Sequence, residues 1–188
     1  KTIYGAPFEK ASGLTVVIDG AGPLPSKGKA MVDAKATTWD IIDSDSAKAL
    51  VLGRAGLLEP IDYSIVDRAK MPPGGAFEHF ASGYYLANVL TYDTAKLKKA
   101  PTGWKDFWDV ANFPGMRCVR KQPDAQIEIC MIAAGKSIKD VYPIDFDIVK
   151  AKLKELKSNL VAWSSGAQSQ EMFHNGEVVM GDLWHTRV

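Results

Sequence analysis

The chain has 188 residues, of which 46% are hydrophobic and 24% are charged. This length and apolar content can bury the core of one large domain or of two small lobes, which excludes an intrinsically disordered chain. The formal net charge of +1 lacks the basic excess that nucleic acids and anionic membranes attract, so we expect no nucleic-acid partner. No apolar run approaches the roughly 18 residues that a membrane-spanning helix needs.

The first half of the sequence alternates strand and helix patterns. β-branched residues predict a strand at 14–19, and a compact apolar run predicts another at 39–43. A turn is predicted at Gly20–Pro23. The elements expected up to residue 92 are, in order, a helix at 3–12, a strand at 14–19, a helix at 27–35, a strand at 39–43, a helix at 47–52, an extended piece at 57–62 and a strand at 84–92.

The second half repeats this alternation of strand and helix patterns. At 145–157, apolar residues Phe146, Val149, Leu153 and Leu156 recur at helical spacing opposite a lysine-rich face. The elements expected after residue 92 are a helix at 104–110, a strand at 116–120, helices at 124–134 and 145–157, a strand at 160–163, a helix at 168–174 and a strand at 178–184. Strands that alternate with helices predict an α/β fold with mostly parallel sheets.

The two sets of elements predict two lobes, a partial first α/β lobe at 1–90 and a second at 91–188, joined by a crossover strand near 85–96. The sequence starts in a helix-like unit without an initiator methionine, and it stops soon after a strand that ends at Trp184. We therefore expect a chain that is truncated at both ends.

The sequence contains no complete motif for a cofactor site or for a catalytic site. Gly20 and Gly22 begin a dinucleotide fingerprint, but its third glycine is replaced by Pro25. Gly28-Lys29 and Gly135-Lys136 lack the remaining residues of a P-loop, the three histidines lack metal-ligand spacing, and no nucleophile elbow is present. The sequence therefore predicts no cofactor, no metal and no catalytic residue, which favours a binding protein.

Two cysteines, Cys118 and Cys130, are too few for a disulfide scaffold and lack the spacing of a zinc site. Either a single disulfide bond or two buried thiols is compatible with their number, depending on the redox compartment.

Ligands of open α/β sheets bind beyond the carboxyl ends of the strands, so the residues that follow each predicted strand are candidates. Three groups qualify: Ser44-Asp45-Ser46, the segment 121–126, and Trp184-His185-Thr186. Their plainer interpretations are a helix cap, a solvated loop and a core tryptophan.

Several segments in order resemble the bacterial extracellular solute-binding proteins of ABC importers, and the spermidine/putrescine-binding group in particular. The first-lobe segments are Phe-Glu-Lys-Ala-Ser-Gly-Leu-Thr-Val at 8–16, Trp-Asp-Ile-Ile at 39–42 and Gly-Leu-Leu-Glu-Pro-Ile-Asp at 56–62. The second-lobe segments are Trp-Lys-Asp-Phe-Trp at 104–108, Phe-Pro-Gly at 113–115, Asn-Gly-Glu-Val at 175–178 and Gly-Asp-Leu-Trp at 181–184.

This resemblance implies a two-lobed, type II-like periplasmic binding protein that holds a small solute in the cleft between its lobes. It also implies a non-enzymatic, periplasmic or lipid-anchored monomer that delivers a polyamine-like cation to an ABC permease. Export favours a disulfide bond between Cys118 and Cys130. An amino acid, a betaine or a ferric chelate is the alternative ligand, and an α/β enzyme is the alternative class.

The family pattern assigns Trp184 to stacking on the ligand and places Ser44, Asp45 and Ser46 on a loop that reaches the cleft. Asp45 replaces a family serine, and the family's ligand-binding acidic residue falls at Ala125, beside Gln126. Tyr85 lies near the crossover and forms either the cleft wall or part of the core. Asp182 shares strand parity with Trp184. An anionic ligand would instead be held by Arg117, Arg120 or Lys121 and by helix N-termini.

Overall fold

The computed structural model describes residues 2–19 and 25–188. The chain divides into two compact units, Lys1–Tyr85 and Leu86–Val188, which we call unit 1 and unit 2. The division lies at one end of the predicted crossover segment 85–96, and the assignment of the units as the lobes 1–90 and 91–188 stays a prediction. Among the described residues, no helix is long and apolar enough to cross a membrane.

Unit 2 contains a four-stranded sheet. Its strands are β1 (Asn88–Tyr92), β2 (Arg117–Arg120), β3 (Leu160–Trp163) and β4 (Met180–Trp184), in the order β1-β4-β2-β3. Strands β4, β2 and β3 are parallel to one another, while β1 runs antiparallel to β4. The helices of this unit are α4 (Trp104–Trp108), α5 (Gln126–Ala133), α6 (Phe146–Leu156) and α7 (Gly166–His174). The carboxyl ends of three strands therefore lie at one edge of the sheet, where ligands of α/β folds bind.

The sheet is covered by apolar side chains on both faces. Neighbouring residues Cys118 and Val119 of β2 belong to different hydrophobic clusters, because successive strand residues point to opposite faces. Val149 and Leu156 of α6 are buried as predicted, but Phe146 and Leu153 are exposed. Only two of the four residues of the predicted apolar face of α6 are therefore buried in the core.

Arg117 is fully buried, and its guanidinium is bound entirely by backbone carbonyls. Its Nε donates to the carbonyl oxygen of Phe107 at 3.1 Å and its Nη1 to that of Gly115 at 2.6 Å. Its Nη2 donates to the carbonyl oxygens of Phe113 and, at 3.4 Å, Asp109. The expectation that Arg117 is available to an anionic ligand is therefore wrong, because every guanidinium nitrogen holds the loop before β2.

The described part of unit 1 contains three α-helices, α1 (Gly5–Ser12), α2 (Pro25–Asp33) and α3 (Ser46–Arg54), and a short 3-10 helix at Arg68–Lys70. The strands predicted at 14–19 and 39–43 and the extended piece at 57–62 form no strand here, and the only β pairing in the described part of unit 1 is the bridge between Ala76 and Ala81. β-branched residues favour extended backbone, but a strand also needs a hydrogen-bonded neighbour and burial. Val17 and Ile41 are 88% and 90% exposed, and neither segment pairs with a strand in the described structure. The turn predicted at Gly20–Pro23 lies outside the described residues.

The predicted disulfide bond is wrong, since Cys118 and Cys130 are both free and buried. Cys118 packs in the cluster around Trp163, whereas Cys130 packs against Val141 and Val149 in a separate cluster. The two thiols therefore pack in different parts of the core of unit 2 and form no bond with each other.

We expect both thiols to resist modification in the folded protein. Burial raises the pKa of Cys118 to about 12 and that of Cys130 to about 11, and the thiolate is the reactive form. A chromogenic disulfide reagent should detect no thiol in the native protein and both thiols after denaturation. Rapid labelling of either cysteine in the native state would contradict the structure.

Candidate functional site

Strand β4 carries a buried carboxylate to the carboxyl edge of the sheet of unit 2. Asp182 is fully buried, and Asn88 on the neighbouring strand β1 donates its side-chain amide to both carboxylate oxygens, at 2.9 and 3.0 Å. The side-chain amide of Gln126, the first residue of α5, donates to the same carboxylate. Two neutral amides therefore hold Asp182, and no ammonium group is paired with it in the described parts of the chain.

Burial raises the pKa of Asp182, although the hydrogen bonds from Asn88 and Gln126 and the charge of Arg120 oppose the rise. A carboxyl group whose pKa is higher in the folded than in the unfolded state binds its proton more tightly when folded. Stability contributed by this group is therefore present at low pH and is lost as the pH rises through the raised pKa. The ionised form of Asp182 is a buried charge that Arg120 offsets only in part.

Trp184 follows Asp182 on β4 and closes the same edge of the sheet. Its ring meets the fully buried Trp163 edge-on, with ring centroids 5.2 Å apart, while Trp163 donates its Nε1 hydrogen to the backbone oxygen of Asp182 at 2.9 Å. Trp184 is itself partly exposed, and its buried Nε1 has no hydrogen-bond partner in the described structure. The indole thus offers an aromatic surface and an unused donor beside a buried carboxylate.

Arg120, the last residue of β2, lies over the ring of Trp184, with its guanidinium carbon 5.0 Å from the ring centroid. Its Nη1 pairs with Asp124 at 3.2 Å, and its side chain is 21% exposed. Such stacking leaves the edge of the guanidinium plane open for hydrogen bonds. The carboxyl edge therefore presents a carboxylate, an aromatic ring and a cation together.

The candidates predicted in unit 1 form a helix start. Asp45 is the N-cap of α3, where it accepts from the backbone N–H of Lys48 at 2.9 Å and also pairs with the Lys48 ammonium. Burial opposes the shift, but these hydrogen bonds lower the pKa of Asp45. Ser44 is partly buried, with an Oγ that has no partner in the described structure, and Ser46 is exposed. This geometry agrees with the plain helix-cap interpretation of Asp45.

The structure groups the predicted site residues by unit. It brings Gln126 and Trp184 together around Asp182, whereas Ser44, Asp45 and Ser46 lie together in unit 1. Tyr85 is the last residue of unit 1 and is 57% exposed. Sequence reasoning missed Asn88 and Trp163, although Trp163 stands at the end of a predicted strand, which is the signal that singled out the other candidates.

The comparisons with known proteins agree with this fold. Residues 4–188 match the bacterial extracellular solute-binding protein family. A gamma-aminobutyric acid (GABA)-binding protein of Pseudomonas aeruginosa is 35% identical over 98% of the chain and 54% of its own length. A solved GABA receptor is 33% identical, with a TM-score of 0.95 over 100% of the chain and 58% of its own length.

Two further solved structures are similar to the chain. An ABC transporter substrate-binding protein from Bradyrhizobium japonicum USDA 110 is 35% identical, with a TM-score of 0.83 over 97% of the chain and 58% of its own length. A spermidine/putrescine-binding protein from Streptococcus pneumoniae is only 17% identical, with a TM-score of 0.73 over 100% of the chain and 59% of its own length, and shares the fold alone. The chain thus spans a little more than half the length of these relatives.

The fold is that of the α/β periplasmic binding proteins, as the sequence predicted, with candidate ligand groups at the carboxyl edge of a parallel sheet. The chain belongs to the bacterial extracellular solute-binding protein family. The relatives named above are binding proteins rather than enzymes.

Proposed function

We propose that the chain belongs to the solute-binding component of an ABC importer, and that its solute is a small amino acid of the GABA type. The observation that carries this proposal is the buried Asp182 beside Trp184. An ionised carboxylate in a low-dielectric site is costly unless cations offset its charge, and an ammonium group of a solute would add to the partial compensation by Arg120.

The aromatic ring of Trp184 supports the same solute class. Ammonium groups and the methylene groups next to them pack favourably on indole, with a gain of about 0.5–2 kcal/mol that depends on how far the contact excludes water. The GABA-binding relative at 35% identity and the GABA receptor at 33% support an amino acid. The sequence pattern favoured a polyamine-like cation. The spermidine/putrescine-binding relative shares only the fold with this chain, so it adds little support for that solute.

The remaining assignments follow from the importer proposal. We propose that the protein works outside the cytoplasmic membrane, in the periplasm or on a lipid anchor, and that it delivers its solute to an ABC permease as a monomer. Ser44, Asp45, Ser46 and Tyr85 remain predicted solute contacts.

Replacing Asp182 by asparagine tests whether Asp182 binds the ammonium group of the solute. We expect GABA to raise the unfolding temperature of the wild-type full-length protein, since ligand at 100 times its Kd adds about 2.7 kcal/mol of stability. Asp182→Asn should abolish most of this shift because the amide lacks the negative charge. Asp147→Asn, which removes a carboxylate whose side chain is 94% exposed, should leave it unchanged.

A GABA-dependent shift of equal size in the wild type and in Asp182→Asn would contradict the assignment of Asp182. No shift of the wild-type protein with GABA would contradict the proposed solute.

A further inference from the structure

Arg120 and Arg117 stand on the same strand but are bound in opposite ways. All three guanidinium nitrogens of Arg117 donate to backbone carbonyls. By contrast, Arg120 donates only through Nη1, to Asp124, in the part of the chain that the structure describes. The Nε and Nη2 hydrogens of Arg120 are therefore unused, and together they form the paired edge that binds a carboxylate in bidentate fashion.

The surroundings of Arg120 fix where that edge lies. The guanidinium stacks on Trp184, and the side chain is only 21% exposed. Packing against the protein therefore fixes its position. Asp182 lies close enough to interact with it electrostatically. A solute on Trp184 thus meets negative charge from Asp182 and positive charge from Arg120.

We propose that Arg120 is the specificity-determining residue of this site, which binds the solute's carboxylate through Nε and Nη2 and so selects an amino acid over a diamine. The inference rests on the proposed function and adds the group that binds the carboxylate end of the solute. A diamine of similar length places an ammonium group where Arg120 already carries a positive charge, and like charges in a partly buried site repel.

The test compares three solutes of similar length on the full-length protein by calorimetric titration: GABA, its uncharged amide γ-aminobutyramide, and putrescine. We expect the wild type to bind GABA about 10- to 100-fold more tightly than the amide, which is the range of a charge-assisted hydrogen-bonded pair. Putrescine should bind more weakly than GABA.

In Arg120→Met the preference for GABA over its amide should disappear, through a loss of GABA affinity of the same size. The matched control is Lys139→Met, which removes an exposed positive charge from another part of unit 2 and should keep the preference. Arg120→Lys keeps the charge without the planar fork, so it should retain only part of the preference. It also serves as the test variant if Arg120→Met does not fold.

The outcomes separate the two proposals. Wild-type protein that binds GABA, with unchanged preference in the folded Arg120 variants, overturns this inference and leaves the proposed solute in place. Tighter binding of putrescine than of GABA by the wild type overturns both proposals, as does no binding of GABA.

Discussion

Replacing Arg117 by methionine is expected to destabilise the protein by about 3–5 kcal/mol, because several buried hydrogen bonds from a charged donor are lost together and each contributes about 1.5–3 kcal/mol before the gain from apolar packing. The guanidinium is fully buried and donates to the carbonyl oxygens of Phe107, Asp109, Phe113 and Gly115. Methionine fills a similar volume but donates nothing, so these carbonyls lose their donors in a place that water does not reach. Urea denaturation followed by tryptophan fluorescence measures the effect.

The matched control for this prediction is Lys121→Met. Lys121 is exposed, and loss of one exposed charge usually changes stability by less than about 0.5 kcal/mol. Arg117→Lys should lie close to Arg117→Met, because an ammonium group cannot span carbonyls that are spread around a planar fork. Equal stability of Arg117→Met and the wild type would show that the carbonyl network is not needed.

The two tryptophans that meet at the carboxyl edge should separate binding from folding. Trp163 is fully buried, so Trp163→Ala is expected to cost about 3–5 kcal/mol of folding stability. Trp184 is partly exposed, so Trp184→Ala should cost less stability and weaken solute binding by about 1–3 kcal/mol, the range of a lost aromatic anchor. Denaturation curves and titrations on the same two variants give both quantities.

This pair also tests which face of β4 points to the solute. A large loss of stability in Trp184→Ala with unchanged affinity would identify Trp184 as a core residue and would place the solute elsewhere.

Sequence patterns predicted unit 2 well because each of its strands finds a neighbour within the unit. The predicted strand at 160–163 is β3 itself, and the predicted helix at 145–157 differs from α6 by one residue at each end. In unit 1 the same kind of pattern at 14–19 and 39–43 forms no strand. Periodicity and β-branched residues report what a segment prefers, whereas a strand also depends on a partner distant in sequence.

The site was predicted in part for a similar reason. Trp184 ends one predicted strand and Gln126 lies in the segment after another, so position in sequence was enough to select them. The contacts of Asn88 with Asp182 and of Arg120 with Trp184 join residues from different strands, and no local pattern encodes such pairs. Arg117 and Arg120 look equivalent in sequence, and only the packing shows that one is structural and the other is available.

A calorimetric titration of the wild-type full-length protein with GABA and, separately, with putrescine tests the proposed solute. We expect saturable binding of GABA at a single site, tighter than any binding of putrescine, with GABA recovered chemically unchanged. Absence of GABA binding, preference for putrescine, or conversion of GABA to another compound would show that the proposed function is wrong.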